Sequence, residues 1–399
     1  MKILIADKFP EAAQKALAEQ GMRVTFEPDA QADALPDLIG DHEVLVVRST
    51  KVNAEVFKRG KALQLVVRAG AGYNTIDVAA ASDAGVFVAN CPGKNSVAVA
   101  ELAMGLMLAV DRRIPQAHAE LSAGSWNKKE YGKADGLLGK TLGVVGSGQI
   151  GQELITRARG FGLRVNAWSR SLTKEKAKEL GVGFCATLNE LAESADIVSI
   201  HLAHSKDTAG IIGEAFLASL PAGAMVINTS RGGIVDEAAM LKAMQERGLR
   251  YAADVYDGEP GAGKAEFKSA LTEQKGFVGT PHIGASTAQA EAAVADEAMA
   301  IIVQYAQAGR VRHCVNLSTH SPAAWTLIVR HGDKVGVLAS VLDALRGADI
   351  NVQEVENIIF EGANTACARL RLSQEPEEAL LAEISSAEHV IDARVIGDA

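Results

Sequence analysis

Residues 141–151 read TLGVVGSGQIG, an apolar run that breaks at Gly146-Ser147-Gly148-Gln149-Ile150-Gly151 and passes into the helical pattern QIGQELITRARGFG (149–162). Strand, glycine-rich turn and helix in that order are the context in which G-x-G-x-x-G holds a dinucleotide. Gly146 permits the tight turn, Gly148 lets the backbone approach a pyrophosphate, and Gly151 lets helix and strand pack closely. Gln149 and Ile150 open the helix, whose first N–H groups and positive end face the diphosphate. Glycines that merely make a tight turn are the plainer alternative, and the flanking strand and helix favour the dinucleotide.

Outward from this loop, RVNAW, DIVSIHL, AMVINTS, YAADVY and FVGT continue a series of short strands alternating with helices, which describes a doubly wound parallel sheet. Upstream, KILIAD, RVTFEPD, EVLVVRS, LQLVVRAG and VFVANCP alternate with helical patterns such as PEAAQKALAEQ and predict a second parallel α/β unit. EVLVV and LQLVV show little polar alternation, as strands covered on both faces do. Between the units, SVAVAELAMGLMLAVDRRIPQAHAEL (96–121) predicts one long linker helix with Ser96 at its N-cap. A helical stretch from Thr287 to Gln307 is long enough to return to the first unit, which makes that unit discontinuous. From Trp325 the pattern becomes β-α-β-β-α-β, a ferredoxin-like unit behind the short linker STHSPA (318–323). The expected fold is therefore α/β: two Rossmann-like doubly wound parallel-sheet domains and a C-terminal ferredoxin-like α+β domain. The expected division is 1–95 with 288–315 for substrate, 96–287 for dinucleotide and 323–399 for regulation.

Composition narrows the function classes. The chain has 399 residues, 48% hydrophobic and 22% charged, which is too long for one core and too apolar for disorder. A net charge of −9 disfavours nucleic acid, since that binding rests on neutralising phosphates. The longest apolar stretch, Leu102 to Val110, is too short to span a bilayer, and MKILIADKFP lacks a secretory apolar core, so the expectation is a cytoplasmic protein without membrane contact. Cys91, Cys185, Cys314 and Cys367 show no paired spacing, so neither a metal site nor a disulfide framework is expected.

An NAD site usually carries Asp or Glu about 20 residues beyond the glycines, on the ribose hydroxyls. Here RVNAW ends in Ser169-Arg170-Ser171 with no acid. Ser169 and Arg170 can hydrogen-bond and neutralise a 2′-phosphate, or Arg170 can stack on adenine, so NAD(H) and NADP(H) both stay open.

VVRSTKV (46–52), VVRAGAGYNTID (66–77), PGKNSVAVAELAMGLML (92–108), the GSGQIG loop, INTSRGGIVDE (227–237), DVYDGEP (254–260) and TPHIGAST (280–287) together resemble the D-2-hydroxyacid dehydrogenases. The resemblance covers nearly the whole chain and implies two Rossmann-like lobes with the site between them. It places the family's catalytic Arg, Glu and His on Arg231, Glu259 and His282. Oxidising a secondary alcohol needs a base for the hydroxyl proton while hydride leaves C2, and an imidazole suits that task. His282 takes that role, Glu259 fixes its tautomer, and Arg231 offers a fork to the carboxylate or the C2 oxygen. Asp254 matches a position whose carboxylate faces the nicotinamide carboxamide. Taken singly, each of these four is an ordinary polar loop residue.

For the substrate, Arg48 and Arg68 end apolar strand runs and match the family's phosphoglycerate-oxidising branch, which implies a phosphorylated small hydroxy acid, 3-phosphoglycerate. The Ala69-Gly70-Ala71-Gly72 backbone resembles the loop that cradles a substrate carboxylate with N–H groups, and Asn95 matches a polar neighbour. The rival activity is glyoxylate or hydroxypyruvate reduction, which Ser169-Arg170 favours by analogy, and a dinucleotide-sensing corepressor is the rival of another class. The C-terminal unit resembles an ACT module, implying a possible amino-acid effector. His331 and Asn351 match the serine-binding pattern, whereas Asp333 and Val335 depart from it. The apolar helix from Ser96 and the Lys128-Lys129 segment resemble dimerisation elements, implying a homodimer or homotetramer.

Overall fold

In the computed structural model the described residues are 1–260, 264–318 and 323–397. The chain forms two compact units, residues 1–316 and a unit that begins at Leu317. Positions 319–322 of the expected linker, and 398–399 of the expected third domain, lie outside the described residues.

The first unit holds two parallel sheets. Strands β1 (Lys2–Ile5), β2 (Arg23–Phe26), β3 (Val44–Val47), β4 (Leu65–Arg68) and β5 (Phe87–Asn90) form a five-stranded sheet in the order 2-1-3-4-5. Strands β6 (Thr141–Val145), β7 (Arg164–Trp168), β8 (Gly183–Phe184), β9 (Ile197–Ile200), β10 (Met225–Asn228), β11 (Arg250–Ala253) and β12 (Phe277–Gly279) form a seven-stranded sheet in the order 12-11-10-9-6-7-8. Both orders reverse once, beside β1 in the first sheet and beside β6 in the second, and a crevice opens at the carboxyl ends of the strands at such a reversal. Every residue of β3, β6, β9 and β10 is buried, which explains why those strands show little polar alternation.

Helices bury one face each against these sheets. Ser96–Arg112 packs Ala100, Ala103, Met104 and Met107 on Leu142, Val144 and Leu154 of the seven-stranded side. Ala288–Ala308, capped by the Thr287 hydroxyl on Ala290 N–H, packs Ala295, Ala298, Ile301 and Ile302 on Ile3, Ile5 and Val44 of the five-stranded side. The expected long linker helix is two helices, because Arg113 takes a left-handed conformation (φ 50°) and a new helix starts at Ile114 with Pro115 in its first turn. Proline has no N–H to continue the ladder and clashes with the carbonyl four residues back. Ser96 is the first helical residue rather than the cap; Asn95 occupies the cap position, and its side chain makes no cap bond.

The second unit is a four-stranded antiparallel sheet of β13 (Trp325–Gly332), β14 (Val352–Ile359), β15 (Thr365–Leu372) and β16 (Val390–Gly397), in the order 14-15-13-16. Two helices, Val337–Gly347 and Glu378–Ser386, cover one face over Leu327, Val329, Leu370 and Leu372, giving the ferredoxin-like arrangement. His331 is buried and shares a bond of 3.2 Å with Asn357, not with Asn351. Register explains why: His331 stands opposite Ala366, whereas Asn351 precedes Val352, which stands opposite Leu372. Six positions along β15 separate the two by roughly 20 Å, so one copy of the unit does not gather the expected effector pair. Among the described residues no helix is long and apolar enough to cross a membrane, and no group of three His, Cys, Asp or Glu could hold a metal ion.

Candidate active site

Three neighbouring parallel strands, β10, β11 and β12, end at the same edge of the seven-stranded sheet, and the loops that leave them carry Arg231, Glu259 and His282. His282 Nδ1 lies 2.6 Å from Glu259 Oε2. Glu259 Oε1 accepts the Tyr256 N–H at 2.8 Å, which fixes the second oxygen. Burial alone would raise the Glu259 carboxyl; the His282 and Tyr256 hydrogen bonds and the charges of His282 and Arg231 outweigh it and hold the group below its usual range. An ionised carboxylate only accepts, so Nδ1 carries a proton, and in the neutral ring Nε2 is then the acceptor.

The backbone at His282 is left-handed (φ 53°), uncommon for a residue with a side chain. Asp254, at the end of β11, holds it there. Its carbonyl accepts the His282 N–H at 2.8 Å, and its carboxylate accepts Thr280 Oγ1 at 2.6 Å and the Ile283 and Gly284 N–H groups, each at 2.8 Å. The sequence reading set Asp254 beside the nicotinamide carboxamide; in the structure it is 1% exposed and its contacts are with the 280–284 loop.

Opposite this triad, the reversal in the five-stranded sheet forms a cavity of about 410 Å³ lined by Lys8, Arg48, Arg68, Gly70, Asn95 and Glu291, among others. The carboxylate of Asp7 accepts the N–H groups of Arg48, Ser49 and Thr50 at 2.7, 3.0 and 3.0 Å, shaping the turn that presents Arg48. The Arg68 guanidinium packs over Gly70 and that of Arg231 against Gly72; a Cβ at either glycine would collide with it. Burial first, and then the charges of Arg231 and Arg48, push Arg68 down to about 10. Its Nε is buried without a partner, and so is Asn95 Oδ1. Like charges gathered beside an unpaired guanidinium N–H cost stability until an anion enters. Arg231 acts electrostatically on both Glu259 and Arg68, so it links the triad to the cavity.

The loop 69–72 serves differently from the expectation. The N–H groups of Ala69 and Gly70 are bonded to the Val47 and Arg68 carbonyls, whereas those of Ala71 and Gly72 have no backbone partner among the described residues. Lys8, Asp7 and Glu291 belong to no motif that sequence reasoning singled out. Their signal is positional, at the carboxyl end of β1 and the first turn of the returning helix, and it becomes visible only with the sheet order.

The dinucleotide loop fits its expected ligand. Gly146 has φ 102°, and a Cβ there or at Gly151 would run into a backbone carbonyl, of His201 or of Gly146 itself. A Cβ at Gly148 would meet nothing within 4 Å, so that glycine leaves room at the helix start for something outside the chain. No side chain caps the twelve-residue helix Gln149–Gly160. A pyrophosphate suits both the space and the helix end. Ser147 Oγ and Ser169 Oγ lie 2.9 Å apart, tying the loop to the end of β7. Arg170 is exposed, and its Nη1 lies 3.1 Å from Asp207 on the loop after β9, a surface pair that a 2′-phosphate would have to displace.

Comparisons with known proteins point the same way. Residues 104–284 match the family model described as D-isomer specific 2-hydroxyacid dehydrogenase, NAD binding domain. A D-3-phosphoglycerate dehydrogenase of Methanocaldococcus jannaschii is 41% identical over 295 residues, 73% of this chain and 55% of that protein. The chain thus matches little more than half of that relative's length. A hydroxypyruvate reductase of Thermotoga maritima is 40% identical over 290 residues, 72% of this chain and 92% of that protein. Among solved structures, the cofactor (NAD⁺)-bound 3-phosphoglycerate dehydrogenase of Entamoeba histolytica aligns with a TM-score of 0.66 at 30% identity, covering 79% of this chain and 99% of that one.

Proposed function

This chain belongs to the D-2-hydroxyacid dehydrogenase family, and from that premise we propose that it is an NAD(P)-dependent dehydrogenase whose substrate is D-3-phosphoglycerate, oxidised at C2 to 3-phosphohydroxypyruvate. The observation that carries the substrate class is the cavity lined by Arg48 and Arg68, the latter with a buried unpaired Nε, and the Arg231 guanidinium near enough to act on Arg68 electrostatically. One small molecule with anions at both ends satisfies such a set; a singly charged acid leaves part of it unpaired.

The geometry supports a role for each residue. Gly146, Gly148, Gln149, Ile150 and Gly151 hold the dinucleotide pyrophosphate, with Ser169 at the ribose end. When bound, the nicotinamide supplies the acceptor or donor of hydride at the substrate C2. Arg231 and the N–H groups of Ala71 and Gly72 orient the carboxylate, Arg48 and Arg68 take the phosphate, and Asn95 offers its amide N–H to the substrate. His282 Nε2 removes the C2 hydroxyl proton, and Glu259 on the other ring nitrogen stabilises the imidazolium that results. Asp254 keeps the His282 loop in place. The lobe of residues 1–95 and 288–315 binds substrate, that of 96–287 binds the dinucleotide, and the unit from 323 is a regulatory ACT-like module of a cytoplasmic homo-oligomer.

One observation favours a second reading, a hydroxypyruvate or glyoxylate reductase: Arg48 already carries a carboxylate partner in Glu291, and the Thermotoga maritima relative is matched over nearly its full length. Steady-state kinetics with 3-phosphoglycerate, 3-phosphohydroxypyruvate, hydroxypyruvate and glyoxylate against both cofactors decides between them. The proposal expects kcat/KM for 3-phosphohydroxypyruvate to exceed that for hydroxypyruvate by at least ~10-fold, the value of one well-made charged contact. Equal values, or a preference for hydroxypyruvate, would establish the reductase instead. Because the Asp207 carboxylate beside Arg170 repels a 2′-phosphate, NAD(H) should bind at least as tightly as NADP(H).

A further inference from the structure

Glu291 has no part in the chemistry just described, yet it lies in the cavity wall with its Oε1 2.8 Å from Arg48 Nη1. Its helix does not need it as a cap, since the Thr287 hydroxyl already accepts the Ala290 N–H. The pair joins residues 243 positions apart in the chain, the end of β3 and the first turn of Ala288–Ala308, and both side chains are partly exposed to the cavity. Lys8, Arg48 and Arg68 set three positive charges around the space and Glu291 one negative charge, leaving two. That is the charge of a phosphate monoester above its second pKa of about 6.

We propose that Glu291 is a counter-ion built into the substrate cavity, which holds Arg48 while no substrate is bound and must release it to an entering phosphate. Glu291 thereby sets how strongly the site prefers a phosphorylated 2-hydroxy acid over an unphosphorylated one. The inference deepens the substrate reading above and rests on it for the identity of the natural anion. A carboxylate on Arg48 competes with a phosphate for the same fork of donors, and its charge repels a dianion about twice as strongly as a monoanion. A neutral hydroxymethyl group at that end feels neither effect. Removing the carboxylate while keeping the shape therefore raises phosphate affinity and leaves an unphosphorylated acid with little to gain.

The test uses the full chain as wild type, Glu291→Gln, Arg48→Gln and the double variant, at fixed ionic strength. The probe is inorganic phosphate, measured by calorimetric titration and as an inhibitor, beside kcat/KM for 3-phosphohydroxypyruvate and hydroxypyruvate. In Glu291→Gln, phosphate should bind on the order of three- to tenfold tighter, and the ratio of the two kcat/KM values should rise by a similar factor through KM. With Arg48→Gln as background, most of that gain should vanish, because the two side chains act on one another. Unchanged or weaker phosphate binding in Glu291→Gln, or the same gain with and without Arg48, would overturn the proposal. Melting temperatures of the four proteins identify any variant that fails to fold; Glu291→Ala then replaces Glu291→Gln, with the same outcomes. Should the wild type turn over no phosphorylated acid, the substrate reading fails, and the phosphate titration still decides the role of Glu291.

Discussion

Replacing His282 with alanine is expected to lower kcat by roughly 10²–10⁴, the usual contribution of a positioned general base, while the dissociation constant of the dinucleotide and the melting temperature change little. The size follows from how completely the structure commits this side chain. Its Nδ1 is occupied by Glu259 at 2.6 Å, so Nε2 is the one ring nitrogen available to the substrate hydroxyl. Its backbone is pinned in a left-handed turn by Asp254, so the ring has little freedom to aim elsewhere. Alanine removes the base but leaves the Asp254 bonds to Thr280, Ile283 and Gly284, all made without the imidazole. Single-turnover absorbance of the reduced nicotinamide, alongside cofactor titration by fluorescence, separates the chemical step from binding. A variant that turns over within tenfold of the wild type would remove His282 from the base position.

Arg231→Lys is expected to lower kcat/KM by about 10–10², a loss of the order of one charge-assisted hydrogen bond to the substrate carboxylate. Charge is retained in this variant, so the loss measures the fork. Arginine offers two parallel N–H donors in a plane, and an ammonium offers a point charge on a flexible stem. Here the guanidinium is additionally wedged against Gly72 and bonded to the Ser230 carbonyl at 2.6 Å, a placement that lysine does not reproduce. Steady-state kinetics with the substrate carboxylate kept constant reads the effect, and a change below about threefold would show that Arg231 contributes charge alone.

Much of this arrangement was legible in the amino-acid order, and the reason is topological. In a parallel sheet whose strands are buried on both faces, each strand is a short apolar run, and the loop at its carboxyl end begins where the run stops. Arg231, Glu259 and His282 each follow such a stop, after β10, β11 and β12, as does Gly146 after β6. What stayed hidden depends on which strands are neighbours. Lys8 and Glu291 meet Arg48 only because β1 and β3 are adjacent and the helix Ala288–Ala308 returns to their sheet. No local pattern carries that information. Asp207 was missed for a like reason: it reaches Arg170 from a different strand's loop, so a search along the chain from the glycines finds no acid. The two-residue β8 is too short to give a periodicity. For the effector pair, residue types match a pattern while the strand register sets His331 and Asn351 apart within one copy of the unit, which leaves a site between two copies untouched. Pro115 was a visible signal for the break at Arg113, outweighed by the apolar period on both sides.

In the proposed complex one imidazole, its carboxylate neighbour and one guanidinium face the reacting carbon together, with the phosphate end of the acid in the cavity of Arg48 and Arg68. A crystal structure of the chain with dinucleotide and D-3-phosphoglycerate tests it most directly. The predicted result has the C2 hydroxyl within about 3.2 Å of His282 Nε2 and the carboxylate against Arg231. A complex with the hydroxyl turned away from His282, or the acid bound outside that cavity, would contradict it.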